Sequence, residues 1–503
     1  MHPDCVGTRI EDPWSSKFVT TLSRGGPSTL FGNAANFVAP LFALVESAYY
    51  KFFRRLSWRD SVEVLTQRLS LTSEVELKET CRSPVSLWFH GASLGETRTA
   101  LAFCAAVLRA LDRKNAVLFP YENNFQIRSL LFTSANVAAQ EPLLRGLDFL
   151  NKTSLKTGTS AEFQRRLVPY DCPSCVNRFL SRFLPRNAIF IESELWPTLL
   201  QESKKKGVKL FLLDGRLSPA SKERWTSSAF GTSMLKQMLT SFHFIGARNE
   251  EEAFFFKQFG CSNVKVIPPL KVLLPSGSEG DSVSLPTRFG PSWMGISTHD
   301  PEEISLLRVH KRLCTTWKLE RKPLLILAPR HVERTSKIFR AAQFIGFKPS
   351  EIAVHSRHSL SDNVSLLIID SYGVLSSFFQ QCKVVFVGNS LVPPGGGHNI
   401  AEPLHYKCVV LHGSYIKNFV ETWRYLNIFN SSSPVTCMIQ NEDNLFNRIQ
   451  YFLLHLEKAH EWGEMGYTSV KEAEEFVVSS VLHEHFRLRS VKGNVKTETS
   501  NLL

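Results

Sequence analysis

Leu274-Pro-Ser-Gly-Ser-Glu-Gly-Asp-Ser-Val-Ser-Leu-Pro286 is the stretch on which the fold turns. It is rich in Pro, Gly and Ser and reads as a linker. The chain alternates in the same way on both sides of it. Upstream, from about residue 85 to 275, short apolar strands are expected at Val85–Phe89, Ala116–Phe119, Ala188–Ile191 and Lys209–Leu213. Helical stretches such as Glu96–Leu111 and Pro197–Lys206 lie between them. Downstream, strands are expected at Leu324–Leu327, Leu366–Ile369, Val384–Val387 and Val409–Leu411, each followed by a helix. Such alternation argues for parallel sheets covered by helices. Two α/β halves leave a cleft between the carboxyl ends of their sheets, where ligands bind in open α/β folds. Residues near 120–158 break the alternation and read as an insertion.

The rest of the composition narrows the partners. At 503 residues the chain is long enough for two or three domains with substantial cores. Its formal net charge of +13 favours anionic partners: nucleic acid, acidic lipid headgroups or phosphorylated small molecules. The simpler reading is a basic soluble surface, and charge alone does not choose. A nucleic-acid partner finds no zinc finger, helix-turn-helix or RNP pattern to support it. Ten cysteines are scattered without a dense framework, which suits free thiols in a reducing compartment. Cys172-Pro-Ser-Cys175 has no second pair to complete a zinc site, and His483-Glu-His485 reads as surface. Asp4, Glu11 and Asp12 argue against a secretory signal. Residues 37–56 combine a short apolar run with Tyr49, Tyr50, Phe52, Phe53, Lys51, Arg54 and Arg55. That mixture suits a helix in the plane of a membrane interface, the other reading being a buried N-terminal helix.

Four segments carry chemistry. In Trp88-Phe-His-Gly-Ala-Ser-Leu-Gly-Glu96 a strand ends in a turn and a helix begins, which places Glu96 at the cleft edge. There it is either a proton acceptor or a carboxylate that complements the helix dipole. Ile191-Glu-Ser-Glu-Leu-Trp-Pro197 aims Glu194 at the same edge, either as a second functional carboxylate or as a cap. Leu327-Ala-Pro-Arg-His331 brings Arg330, suited to a phosphate, to the end of a strand in the second half. Phe386-Val-Gly-Asn-Ser-Leu-Val-Pro-Pro-Gly-Gly-Gly-His-Asn-Ile-Ala-Glu-Pro403 runs from a strand through glycines into a helix start near Asn399. Glycines let backbone approach a ligand, helix-start N–H groups attract anions, and Glu402 suits ribose hydroxyls. The run is neither a Walker loop nor a dinucleotide fingerprint.

Together these segments resemble the Kdo transferase family, whose members move 3-deoxy-D-manno-octulosonic acid (Kdo) from CMP-Kdo to the glucosamine disaccharide of a lipid A precursor. The resemblance spans roughly residues 85–430. It rests on His90-Gly-Ala-Ser-Leu-Gly-Glu96, Glu192-Ser-Glu-Leu-Trp-Pro197, Gly215-Arg-Leu-Ser-Pro-Ala-Ser221, Ser297-Thr-His299, Ala328-Pro-Arg-His-Val-Glu-Arg334 and Gly397-His-Asn-Ile-Ala-Glu-Pro403. It implies an inverting GT-B glycosyltransferase: two Rossmann-like domains facing a central cleft, with an N-terminal membrane-interface helix. Glu96 matches the family's proton acceptor. Glu194 and Lys271 match positions that stabilise the transition state. Pro329 and Arg330, then Tyr372, Gly373 and Val374, then Asn399, Ile400, Ala401 and Glu402 match three CMP-binding stretches. No metal or other cofactor is implied. The implied partners are a CMP-sugar donor, a lipid A-type glycolipid and a membrane surface, with no nucleic acid.

The corresponding division is a membrane-associating segment over 1–60, an acceptor domain over 61–273, a linker over 274–290, a CMP-sugar domain over 291–490 and a tail over 491–503. By analogy, the location is the cytoplasmic face of the inner membrane in a bacterium and the mitochondrion in a eukaryote. There are departures. Gly373-Val-Leu375 stands where the family has Gly-Glu-Leu, Asp214-Gly-Arg-Leu-Ser218 where it has Asn-Ala-Arg-Leu-Ser, and Pro269-Leu-Lys271 where it has Gly-Asn-x-Lys. Phe119-Pro-Tyr-Glu-Asn123 lacks the family's Thr-rich stretch, part of which is sought in Leu155-Lys-Thr-Gly-Thr159. The alternatives are another GT-B enzyme using a UDP- or GDP-sugar, or a catalytically silent descendant that binds nucleotide or membrane.

Overall fold

A computed structural model describes residues 58–70, 84–112, 129–156, 161–273, 290–357, 361–429 and 434–486. The segment 37–56, the strand expected at Ala116–Phe119, the Leu274–Pro286 linker and the tail after 490 lie outside these residues.

The first sheet has seven strands: β1 (Leu87–His90), β2 (Ser129–Ser134), β3 (Glu162–Leu167), β4 (Asn187–Ile191), β5 (Lys209–Gly215), β6 (Phe244–Ala247) and β7 (Val264–Val266). Their order is β3-β2-β1-β4-β5-β6-β7, and every pairing is parallel. The second sheet comprises β8 (Ser292–Thr298), β9 (Leu324–Pro329), β10 (Ile352–Val354), β11 (Leu366–Ile368), β12 (Val384–Val387), β13 (Val409–His412) and β14 (Cys437–Met438). Its order is β10-β11-β9-β8-β12-β13-β14, again all parallel. The inner strands are apolar without a break because helices cover both faces. Trp88 and Phe89, adjacent in β1, are both buried although they point to opposite faces.

Within residues 120–158, read as an insertion, Ser129–Ser134 is a strand of the sheet and Gln140–Lys156 a helix. Leu130, Leu131 and Phe132 pair with Leu87, Trp88 and Phe89 and are fully buried. Of the stretch 155–159, Leu155 and Lys156 end a helix and the rest lies outside the described residues; Thr133 and Ser134 close β2 at the carboxyl edge.

In each sheet the chain crosses from one half to the other at a single junction, between β1 and β4 and between β8 and β12. There two neighbouring strands send their connections to opposite sides and leave a crevice. Four helices position what lies in it: α1 (Leu94–Asp112), α2 (Glu302–Thr316), α3 (Ala401–His405) and α4 (Leu456–Phe486). The last is 31 residues long and returns from the second unit to pack on α1. Glu474 of α4 pairs with Arg109 of α1 at 2.8 Å and with Lys471 at 2.9 Å. Burial pushes the Glu474 carboxyl up, but the two cations outweigh it and hold it down at about 2. His405 Nε2 donates to the Val272 carbonyl at 2.7 Å, which ties α3 to the end of the first unit. Among the described residues no helix is long and apolar enough to cross a membrane.

Candidate active site

Glu96 sits in the first turn of α1 and does two things. Its Oε2 accepts from the Ala92 and Ser93 amides at 2.7 and 3.3 Å, and its Oε1 from the Ser93 hydroxyl at 3.0 Å. Its own amide donates to Ser93 Oγ at 3.2 Å, which completes a capping box. The turn is so tight that a Cβ on Gly91 would lie 2.8 Å from the Glu96 carbonyl carbon. Yet the carboxyl is raised above its ordinary range, first by burial and then by the charges of Glu194 and Glu192, against the lowering by Ser93. A partly desolvated carboxylate between two others is a better proton acceptor than a surface cap. Of the two sequence readings of Glu96, the cap is present, and the raised carboxyl is compatible with a proton acceptor.

Glu194 and Glu192 follow β4. Trp196 Nε1 donates to Glu194 Oε2 at 2.7 Å, and His90 Nε2 lies 3.3 Å from the same oxygen. Glu192 adopts a left-handed φ of 65°. Its carboxylate receives Arg216 at 2.7 and 3.1 Å and Arg248 at 3.4 Å. Arg248 also makes a bidentate pair with buried Asp214 at 2.9 and 2.5 Å. Asp214 is the residue that departs from the family's Asn. Its charge is compensated: burial raises its carboxyl while Arg248 and Lys271 pull it back. The exposed Lys271 is close enough to Asp214 to act on its carboxyl and close enough to His398 to act on that ring. It therefore stands between the two sheets.

The facing edge is positive. Arg330 follows β9, its amide bonded to the Thr298 carbonyl at 3.0 Å. Neither Arg330 nor Lys271 has an ion-pair partner among the described residues. His299 after β8 and His398 in the glycine run meet Nε2 to Nε2 at 3.0 Å, and the His331 ring lies 5.5 Å from His299. Burial, His299 and Arg330 lower His398 to about 4, so the pair is neutral at pH 7, one nitrogen donating and the other accepting. The buried Thr298 hydroxyl has no partner. Three carboxylates on one edge thus face unpaired cations and histidine donors on the other.

The glycine run works differently from the sequence reading. Gly395, Gly396 and Gly397 all have positive φ, at 49°, 139° and 73°. The amides of Gly396 and Gly397 are spent on the Tyr415 and Asn389 carbonyls at 3.2 and 2.6 Å. A Cβ on Gly397 would lie 2.0 Å from the Phe419 ring. These glycines fold the loop on itself rather than cradle a ligand with their amides. The loop before them is held by the buried Glu302 of α2, whose carboxylate accepts from the Asn389, Ser390 and Leu391 amides at 2.7, 3.0 and 2.9 Å.

Of the third CMP-binding stretch, Ile400 and Ala401 are buried, and Asn399 Oδ1 caps the Ala401 amide at 3.0 Å. Glu402 faces the cleft: burial raises its carboxyl to about 6, and Arg98 of α1 pulls against that from the opposite unit. Pro329 is buried at the end of β9. Tyr372 is exposed, its hydroxyl 3.5 Å from the Arg330 carbonyl; Gly373 has φ 86°, and Val374 precedes the helix Leu375–Phe379. The sequence reading gave no role to His90, Glu192, Arg248, His398 or Glu302. The signal for His90, Glu192 and His398 lay inside motifs already singled out. For Arg248 and Glu302 nothing local marks them, because their partners lie 34 and 87 residues away. Cys172 and Cys175 are buried free thiols, and among the described residues no group of three metal-binding side chains forms.

Two parallel-sheet units whose carboxyl edges face one another across such a cleft define the GT-B architecture of glycosyltransferases. The family model for 3-deoxy-D-manno-octulosonic-acid transferase (kdotransferase) matches residues 63–274. A 3-deoxy-D-manno-octulosonic acid transferase of Haemophilus influenzae is 25% identical over 400 residues, 78% of this chain and 84% of the relative. A protein of Arabidopsis thaliana named "Probable 3-deoxy-D-manno-octulosonic acid transferase, mitochondrial" is 26% identical over 353 residues, 67% of this chain and 71% of the relative. Among solved structures, the C-terminal CMP-Kdo binding domain of WaaA from Acinetobacter baumannii is 24% identical, with a TM-score of 0.33 over 36% of this chain and 90% of that one. The chain is thus similar to Kdo transferases over most of its length, and residues 63–274 carry the match to the family model.

Proposed function

We propose that this protein is an inverting glycosyltransferase that moves Kdo from CMP-Kdo to the sugar hydroxyl of a lipid A-type acceptor at a membrane surface. The observation that carries the reading is the opposition of charge across the cleft. A raised carboxylate, Glu96, stands opposite the unpaired cations Arg330 and Lys271. In the reaction the acceptor oxygen bonds to the anomeric carbon as the bond from that carbon to the CMP phosphate oxygen breaks. Glu96 takes the hydroxyl proton. The negative charge that grows on the departing phosphate is met by Arg330 and Lys271, which no carboxylate among the described residues neutralises. Glu194 stabilises the developing positive charge on the sugar or orients the acceptor. Glu402 is assigned to the ribose hydroxyls and Tyr372 to the nucleotide face. With two cations to meet the leaving group, the proposal calls on no metal.

The acceptor assignment rests on the similarity to Kdo transferases and on the aromatic and basic residues 37–56, read as an interfacial anchor. The test is direct. Purified protein is incubated with a lipid A precursor and CMP-Kdo generated in situ, and the added sugar is sought by mass spectrometry. Product from the wild type and none from Glu96→Gln supports the reading. No product despite measurable CMP binding refutes the acceptor. Tighter binding of UDP or GDP than of CMP in a calorimetric panel refutes the donor.

A further inference from the structure

His90 closes β1 and is fully buried, with 0% exposure, so it touches no substrate. It nevertheless lies in a continuous chain of hydrogen bonds that ends on a cleft carboxylate. Trp88 Nε1 donates to Thr133 Oγ1 at 2.8 Å. Thr133 Oγ1 lies 2.9 Å from His90 Nδ1, and His90 Nε2 lies 3.3 Å from Glu194 Oε2. The direction of the chain follows from the groups themselves. The Glu194 carboxylate only accepts, so His90 Nε2 carries the proton that goes to it; in that tautomer Nδ1 accepts from Thr133 Oγ1, which itself accepts from Trp88 Nε1. Trp196 Nε1 donates to the same Oε2, so both fixed donors hold one oxygen. Oε1 takes no hydrogen bond among the described residues.

We propose that His90 is a positioning residue for the transfer proposed above, holding the Glu194 carboxylate in place beside Glu96 through one oxygen and leaving the other to the reacting groups. The inference rests on the assignment of Glu96 as proton acceptor. Its consequence reaches Glu96 through charge. The charged groups that face Glu96 are Glu194 and Glu192, and both raise its carboxyl. Glu192 is neutralised by Arg216 and Arg248, with Asp214 and Lys271 behind them, whereas His90 is the titratable partner of Glu194. Loss of the His90 donor leaves the Glu194 carboxylate held by Trp196 alone and free to swing away from Glu96. Less negative charge then faces Glu96, which ionises at lower pH.

His90→Phe tests this with little cost to the fold, because the ring sits among Phe190 and Trp196 at 5.3 and 6.2 Å, and Thr133 retains the Phe89 carbonyl at 3.4 Å as a partner. The measurement is kcat and KM for CMP-Kdo against pH, with wild type and Glu96→Gln alongside. The expected result is a kcat at least about tenfold lower, a KM for CMP-Kdo within twofold, and an acid limb of the kcat profile moved to lower pH. His90→Gln, which restores a donor toward Glu194, should recover most of kcat and return the limb toward wild type. A wild-type kcat with an unmoved limb in His90→Phe overturns the proposal, as does equal loss in both variants with no movement of the limb. Should His90→Phe fail to bind CMP, His90→Met decides: it too lacks a donor toward Glu194, and the limb should shift the same way, a wild-type kcat with an unshifted limb being the refuting result. A wild type that forms no product refutes the transfer reaction itself, a distinct outcome.

Discussion

Glu96→Gln and Glu96→Ala separate the two jobs that one carboxylate does. Gln at the third position of α1 keeps an oxygen for the Ala92 and Ser93 amides, so the capping box survives. It cannot take a proton. It also removes the repulsion from Glu194 and Glu192 that raises the carboxyl. The sign follows: a carboxyl raised in the folded state stabilises fully below its unfolded value of 4.5 and loses that contribution as pH rises through the folded value. At pH 8 the Gln variant should therefore be at least as stable as wild type. Its turnover should fall by about two orders of magnitude or more, which is about 2.7 kcal/mol of barrier. Ala loses the base and the cap together, so it should show the same fall in turnover plus about 0.5–2 kcal/mol of lost stability. The assays are single-turnover sugar transfer followed by mass spectrometry and urea unfolding at pH 8. If Gln keeps turnover within a few-fold of wild type while Ala loses both, Glu96 is only a cap and the general-base assignment is wrong.

Arg330→Ala should weaken CMP binding by about ten- to a hundredfold, the worth of a charge-assisted hydrogen bond, with unchanged calorimetric affinity refuting its placement. Glu474→Gln should destabilise the protein by roughly 3 kcal/mol at pH 7, because Arg109 and Lys471 lose their shared anion. Since that carboxyl is held down at about 2, its stabilisation is present above pH 4.5 and lost as pH falls toward 2; the variant should lack this slope in acid unfolding curves. Glu402 behaves in the opposite sense. Raised to about 6, it loses stability as pH rises from 4.5 through 6, so Glu402→Gln should be more stable at pH 7 by at most about 2 kcal/mol and bind CMP more weakly. Deleting residues 1–56 should reduce co-sedimentation with anionic liposomes and spare CMP binding, and undiminished sedimentation would remove the anchor assignment.

The alternation of short apolar strands and helices was legible because buried parallel strands carry unbroken apolar runs, as Ala188–Ile191 and Val384–Val387 do. Ser129–Ser134 was missed because its six residues carry Ser and Thr at both ends, which weakens the apolar signal of a strand that is nonetheless fully buried. The cleft carboxylates were legible because strand-to-helix junctions set them at a sheet edge. The glycine run was only half legible: its need for positive φ is written in the residues, but the Tyr415 and Asn389 carbonyls that consume its amides are not adjacent to it in the chain. The same holds for the compensation of Asp214 by Arg248, since a buried charge and its counter-charge share no local pattern. His90 stood in a quoted motif, yet its meaning required Thr133, which β2 brings from 43 residues away.

The return of α4 to α1 has a consequence for biosynthesis. Arg109 and Glu474 are 365 residues apart in the chain. At a ribosomal rate of about 5–20 residues per second, roughly 20–70 s pass between the synthesis of the two. During that interval the first sheet and its helices have left the ribosome while the flank of α1 that Val470, Ala473 and Val477 will cover is still bare. The nascent amino-terminal half must wait with an apolar strip and an unmatched cation open to solvent. Completion of the last helix is then the event that seals it, and the two sheets are fastened together only when translation is almost over.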